Sequence, residues 1–258
     1  MEKGKLIIVM GPSGSGKTML ANEIIRSGIF NDEEHKKIEE SRRPEGMKEK
    51  ESEEIPVSIF YAPKYVTRDL KDGDVSVIKC SYDKMEQSCD VIIPGYRDDD
   101  FIGFNVDDIL KQIDEGKTLV IATGFMEALQ EILKKFMDKD RLNDIFIVGM
   151  NTFTKDGENY NRLTKDAKSE DENISDDANK RLEQSALFVE QYKEFKEIFD
   201  MDVRNYQMKY EGSPNLRGEG YTIYHHASKP IERDSDQLSA IKDFVSCDLL
   251  KYNKVVGQ

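Results

Sequence analysis

The feature that most restricts this chain is the break from an apolar run, Leu6 to Met10, into Gly11-Pro12-Ser13-Gly14-Ser15-Gly16-Lys17-Thr18. Gly11, four intervening residues and then Gly16-Lys17-Thr18 complete the pattern G-x-x-x-x-G-K-[ST], a P-loop. Glycines let the backbone turn its N–H groups toward phosphate oxygens with no Cβ in the way. A lysine here reaches the β- and γ-phosphates of a nucleoside triphosphate, and the Thr18 hydroxyl is placed to ligate Mg²⁺. Met19, Leu20, Ile24 and Ile25 recur at helical spacing behind the loop, so a helix N-terminus adds its partial positive charge to the cradle. Gly11 to Met19 is therefore the expected cofactor-binding stretch, with ATP and Mg²⁺ as the cofactors.

The rest of the chain carries the same architecture. "IPVSIFYAP", "KTLVIATG" and "DIFIVGM" are short apolar runs suited to buried strands. Between them lie "NVDDILKQIDEG", capped by Asn105 and closed by Gly116, and the amphipathic "FMEALQEILKKFMDKDR". Alternation of this kind predicts an α/β fold, a parallel sheet core covered by helices. A long helix is expected from about 175 to 199 and a last one from about 235 to 250. The 212–230 stretch reads as a loop around a possible strand, "YTIYHH". His225 and His226 would then alternate faces, so they are not expected to share a metal. Residues 31–54 are a charged tract with little apolar content, a solvated insertion that is helical or disordered.

A formal charge of −13 argues against nonspecific binding to nucleic acid or to an anionic membrane. No apolar run approaches the roughly 20 residues that span a bilayer, and the N-terminal run is too short for a secretory signal. Three scattered cysteines, Cys80, Cys89 and Cys247, suit ordinary thiols in a reducing compartment. A cytoplasmic protein is expected. The sequence sets no oligomeric state.

Beyond the loop, "GPSGSGKT" together with "VTRDLKDGD" (Val66 to Asp74) resembles the guanylate kinase family of P-loop kinases, whose corresponding stretches read G-P-S-G-x-G-K-[ST] and T-T-R-x-P-R-x-G-E. "DFIGFNVDDILKQIDEGKTLVI" and "NKRLEQSALFVEQYKEF" ahead of "FDMDVRN" follow in the family's order. The resemblance implies one P-loop kinase domain over 1–258, with an acceptor-binding region at 55–104, a lid at 152–182 and additions at 31–54 and 212–230. It implies that Lys17 stabilises the transferring phosphoryl group, that Arg68 and Lys71 hold the acceptor's phosphate with Asp74 orienting them, and that Arg162 and Arg181 close from the lid.

Two family features are missing. The Y-Y-G-[ST] segment is replaced by Phe101-Ile102-Gly103-Phe104, which removes both polar handles on the acceptor. Tyr96 is the candidate substitute. The acidic D-x-D pair is replaced by Ile121-Ala122-Thr123-Gly124. A pocket without base-reading groups need not select GMP. The expected function is ATP-dependent transfer to a phosphorylated small molecule, most simply a nucleoside monophosphate. A sugar-phosphate kinase of the same family, or a non-catalytic guanylate-kinase-like nucleotide- or protein-binding module, are the alternatives.

Overall fold

The computed structural model describes residues 4–27, 59–70, 76–97, 99–150, 163–203 and 219–249. The 31–54 tract, Lys71, Asp74 and Arg162 lie outside them.

Strand β1 (Leu6–Met10) is buried along its whole length. Period-two alternation sends Leu6, Ile8 and Met10 into one apolar cluster and Ile7 and Val9 into another. That is why the run has no polar face: it is the centre of a parallel sheet covered on both sides. The remaining strands are β2 (Ile59–Tyr61), β7 (Thr118–Thr123), β8 (Ile145–Met150) and β9 (Met201–Val203), in the order β2-β7-β1-β8-β9, with every pair parallel. This is an α/β fold of the P-loop type, as the sequence predicts.

A second sheet contains β3 (Lys64–Val66), β4 (Val77–Lys79), β5 (Val91–Pro94) and β6 (Phe101–Phe104), in the order β4-β3-β6-β5. Because β2 pairs with β7, the division between the two sheets falls at Ala62-Pro63.

One side of the main sheet is covered by α3 (Val106–Asp114), α4 (Met126–Asp138), α5 (Glu172–Glu194) and α7 (Ser235–Ser246). Asn105 caps α3 as expected, its side chain accepting from Asp108 N–H at 2.8 Å. The other side is covered by α1 (Lys17–Ser27) and α6 (Glu219–Ala227). A short helix, α2 (Tyr82–Ser88), precedes β5 and buries Met85.

Helix α6 corrects the reading of "YTIYHH" as a strand. Its β-branched and aromatic residues favour a strand locally, but Ile223 and Ala227, four apart, are buried among Leu20 and Ile24 of α1. Gly220 permits the contact: a Cβ there would come within 2.5 Å of the Glu23 carbonyl carbon. His225 and His226 are consecutive helical residues, with ring centroids 6.0 Å apart.

The long helix also begins and ends earlier than predicted. A short 3₁₀ turn at Lys196–Ile198 takes over where α5 stops. Tyr192 anchors α5 to the sheet, lying over Gly149 of β8, where a Cβ would meet its ring at 2.6 Å. Its hydroxyl donates to Asp202 Oδ1 at 2.6 Å. This docking determines where the rest of α5 lies relative to the P-loop.

Candidate active site

The loop between β1 and α1 has the backbone of a phosphate cradle. Gly14 and Gly16 take φ of 76° and 90°, a region that residues with a Cβ rarely adopt. Ser15 N–H donates to the Pro12 carbonyl at 3.2 Å, and the Leu20 N–H to Gly16 carbonyl bond, 2.9 Å, opens the helix. Gly11 is enclosed too, since a Cβ would sit 2.5 Å from Ser15 Oγ and 3.0 Å from the Met150 carbonyl. Ser15 Oγ is buried with no hydrogen-bond partner. Buried polar atoms are ordinarily satisfied, and a phosphate oxygen held in this cradle of glycines would give this one a partner.

Lys17 folds back so that Nζ donates to the Pro12 carbonyl at 2.6 Å. Burial of the ammonium, followed by the charges of Lys64 and Arg181, lowers its pKa from 10.5 to about 7. A cation held this far from its preferred state gains most from a ligand bearing negative charge. Thr18 is exposed at the start of α1, as is Met19. The Thr18 carbonyl receives the Tyr61 hydroxyl at 3.3 Å. Among the described residues no group of three or more His, Cys, Asp or Glu side chains could hold a metal.

Tyr96 is brought to the loop. It hydrogen-bonds the Ser13 side chain, and its ring packs on Phe125 with centroids 4.9 Å apart. The guanidinium of Arg181 lies 5.6 Å from the ring centroid, a cation–π arrangement. Burial raises the Tyr96 pKa, with Arg181 opposing, so the phenol stays protonated and able to donate at neutral pH. Gly124 shows how closely these groups converge. A Cβ at this position, just past the end of β7, would lie 3.7 Å from both Lys17 Nζ and Tyr96 Oη.

Helix α5 supplies the roof. Asp177, Arg181 and Ser185 recur every four residues and so share one face. Ser13 N–H donates to Ser185 Oγ at 3.2 Å, and Arg181 Nε lies 2.9 Å from Asp177 Oδ2. Of the predicted residues, Lys17, Tyr96 and Arg181 are thus gathered at one point. Arg68 lies on the turn after β3, its Nη1 donating to the Asp69 carbonyl at 2.6 Å. Lys64, Ser185 and Gly124 are additions. Lys64 stands three residues before Thr67 in "PKYVTR", but only the folding of β3 beside the loop gives that position meaning.

Gly124→Ala tests this convergence. The added methyl would press on the Gly11 carbonyl at 2.9 Å, and because that neighbour is backbone, β7 or the loop must shift. Misplacement on that scale lowers kcat/KM by roughly 10–10²-fold. Steady-state kinetics beside a melting curve measure it, and unchanged kinetics would mean that the end of β7 does not wall the site.

A guanylate kinase from Anaplasma phagocytophilum is similar in structure, with a TM-score of 0.49 and 10% identity over 88% of this chain and 85% of that one. A fungal RNA kinase gives a TM-score of 0.37 and 12% identity over 96% and 100% of the two chains. No protein-family model matches the chain, and no curated protein sequence matches it.

Proposed function

We propose that this protein transfers the γ-phosphoryl group of Mg·ATP to a phosphorylated small molecule, with a nucleoside monophosphate as the leading acceptor class. The observation that carries the reading is the convergence of the Lys17 ammonium, the Tyr96 phenol and the Arg181 guanidinium beside Gly124 at the mouth of a complete P-loop. Binding a triphosphate alone needs little beyond the loop. Here further donors from two other parts of the chain face the place where a terminal phosphate would lie.

Phosphoryl transfer needs positioning and charge neutralisation more than acid–base chemistry. The loop amides and Lys17 would hold the donor phosphates. Bound Mg²⁺, reached by Thr18, would supply further neutralisation of the phosphate oxygens. Tyr96 would donate its hydroxyl to an acceptor phosphate oxygen, the role the resemblance gives to a tyrosine on the segment here occupied by Phe101 to Phe104. Arg181, steered by the Tyr96 ring and Asp177, would offset the charge that develops between donor and acceptor. An acceptor phosphate is already anionic, so no general base is required.

The test is ADP release from Mg·ATP across GMP, dGMP, AMP, CMP, UMP, dTMP and a set of sugar phosphates. Acceptor-dependent release well above the rate without acceptor is expected. ATP binding with no release above background, whatever the acceptor, rejects the transfer reading in favour of a nucleotide-binding module.

A further inference from the structure

On the far side of Arg181 from the P-loop lies a cleft of about 410 Å³, within the roughly 300–1,000 Å³ usual for small-molecule sites. Arg97 lines it from the turn between β5 and β6, Leu163 and Asp166 from the segment before α5, and Ile174, Asp177 and Arg181 from α5 itself. We propose that this cleft binds the base of a nucleoside monophosphate acceptor through the carboxylates of Asp166 and Asp177, and that it favours bases carrying an exocyclic amino group. The proposal rests on the phosphoryl-transfer reading and narrows it.

Continuity with the cradle is the first argument. Arg181 lines the cleft and also sits over the Tyr96 ring, whose hydroxyl is at the P-loop. A molecule with its phosphate beside Tyr96 and Lys17 would extend past Arg181 into this space. The cleft adjoins the transfer site through Arg181, and apart from Arg97 its lining comes from α5 and the segment before it.

Charge is the second argument. Two arginines and two aspartates balance, and Arg181 is already engaged by Asp177 at 2.9 Å. With no net positive charge, the cleft gives a second phosphate little to bind, which argues against a sugar bisphosphate extending into it. The wall also has an apolar part. Leu163 is buried, whereas Ile174 is 48% exposed at the mouth of the cleft, where a flat ring would cover it.

The carboxylates then select among rings. An ionised aspartate only accepts hydrogen bonds. Adenine, guanine and cytosine present amino N–H groups to it. Uracil and thymine present a single N–H between two carbonyl oxygens, so a carboxylate that accepts it also meets carbonyl oxygens with which it cannot pair. Acceptors set against acceptors in this way are a source of discrimination. Asp166 is the better probe, because Asp177 also holds Arg181.

The experiment is equilibrium calorimetry on the full chain without ATP, using AMP, GMP, CMP, UMP and ribose 5-phosphate, repeated on Asp166→Asn. Mg·ATP affinity, measured in parallel, serves as the check on folding. The expected result is at least one amino-bearing monophosphate binding tenfold or more tightly than both UMP and ribose 5-phosphate, with Asp166→Asn removing most of that advantage. Equal binding of UMP or ribose 5-phosphate, no binding by any nucleotide, or a preference untouched by Asp166→Asn would overturn it. Failure here is separable from failure of the transfer reading. Turnover with sugar phosphates as fast as with nucleotides would reject the base site while leaving transfer standing. Base-selective binding with no turnover would uphold the cleft and reject transfer.

Discussion

Lys17→Met lowers acceptor-dependent ADP release by roughly 10²–10³-fold or more, the loss that follows removal of a preorganised charge from a transition state, and leaves the melting temperature nearly unchanged. The second half of that expectation separates a functional lysine from a structural one. Nζ makes its hydrogen bond to the Pro12 carbonyl of its own loop, and two cations, Lys64 and Arg181, act against it. Its pKa near 7, well below the usual 10.5, means that the unfolded chain binds more protons at this residue than the folded chain between about pH 7 and 10.5. The ammonium therefore opposes folding in that window, and stability rises with pH across it. Methionine keeps the apolar stem and removes this cost. A large drop in melting temperature would show that Lys17 supports the fold.

The same shift predicts a proton count. At pH 8 the amine of the empty site is mostly neutral, given a pKa near 7. Binding a polyphosphate restores the ammonium, so the complex takes up close to one proton. Calorimetry of Mg·ATP binding at pH 8, in buffers of different ionisation enthalpy, reads this directly as a slope. Lys17→Met should flatten it. A wild-type heat that does not depend on buffer would refute the account of Lys17 as an unmatched cation awaiting a phosphate.

What was legible in the sequence follows from how local each signal is. Strand β1, the loop and α1 were readable because a doubly buried parallel strand has no polar face and because the cradle's glycines and lysine are adjacent in the chain. Helix α3 was readable from its cap and its closing Gly116, which takes φ of 86°. The second sheet was not, since "KYV" and "VIK" are three-residue strands too short to show a period. Helix α6 was misread because its fit to α1 depends on Gly220 meeting Glu23, a contact no local propensity encodes. The site divides the same way. Lys17 announces itself, Arg181 could be nominated by resemblance, and Tyr96 as the substitute for the tyrosine missing from the Phe101–Phe104 segment. Lys64 and Ser185 become visible only once β3 and α5 are docked against the loop. A lone lysine before a tyrosine and a serine inside a helix carry no signature of phosphate chemistry.

Arg233→Met should be the most damaging single change to stability, and its cause lies far from the phosphate cradle. Arg233, in the loop before α7, has a side chain only 1% exposed, and its partner Asp200 is 7% exposed. Nη2 donates to Asp200 Oδ2 and to the Ile145 carbonyl, each at 2.7 Å, and Nη1 donates to the Leu142 carbonyl. Asp200 in turn accepts from Ile147 N–H at 2.7 Å and from Gln237 Nε2 at 3.0 Å. One guanidinium thus ties the start of β8, the residue before β9 and the first turn of α7 into a single network. Burial by itself pushes the Asp200 carboxyl pKa up, and Arg233 is the charge that opposes this most. Removing the arginine leaves a buried carboxylate without its counter-charge and two carbonyls without donors. Breaking a pair of this kind costs about 3–5 kcal/mol, which for a chain of this size lowers the melting temperature by roughly 6–20 °C. Replacing both members, Arg233→Met with Asp200→Leu, should recover part of the loss, because the uncompensated charge goes with its partner. Thermal melts of the two variants decide the matter. A double variant no better than the single one would mean that the backbone hydrogen bonds made by Arg233, rather than the charge on Asp200, hold β8, β9 and α7 together.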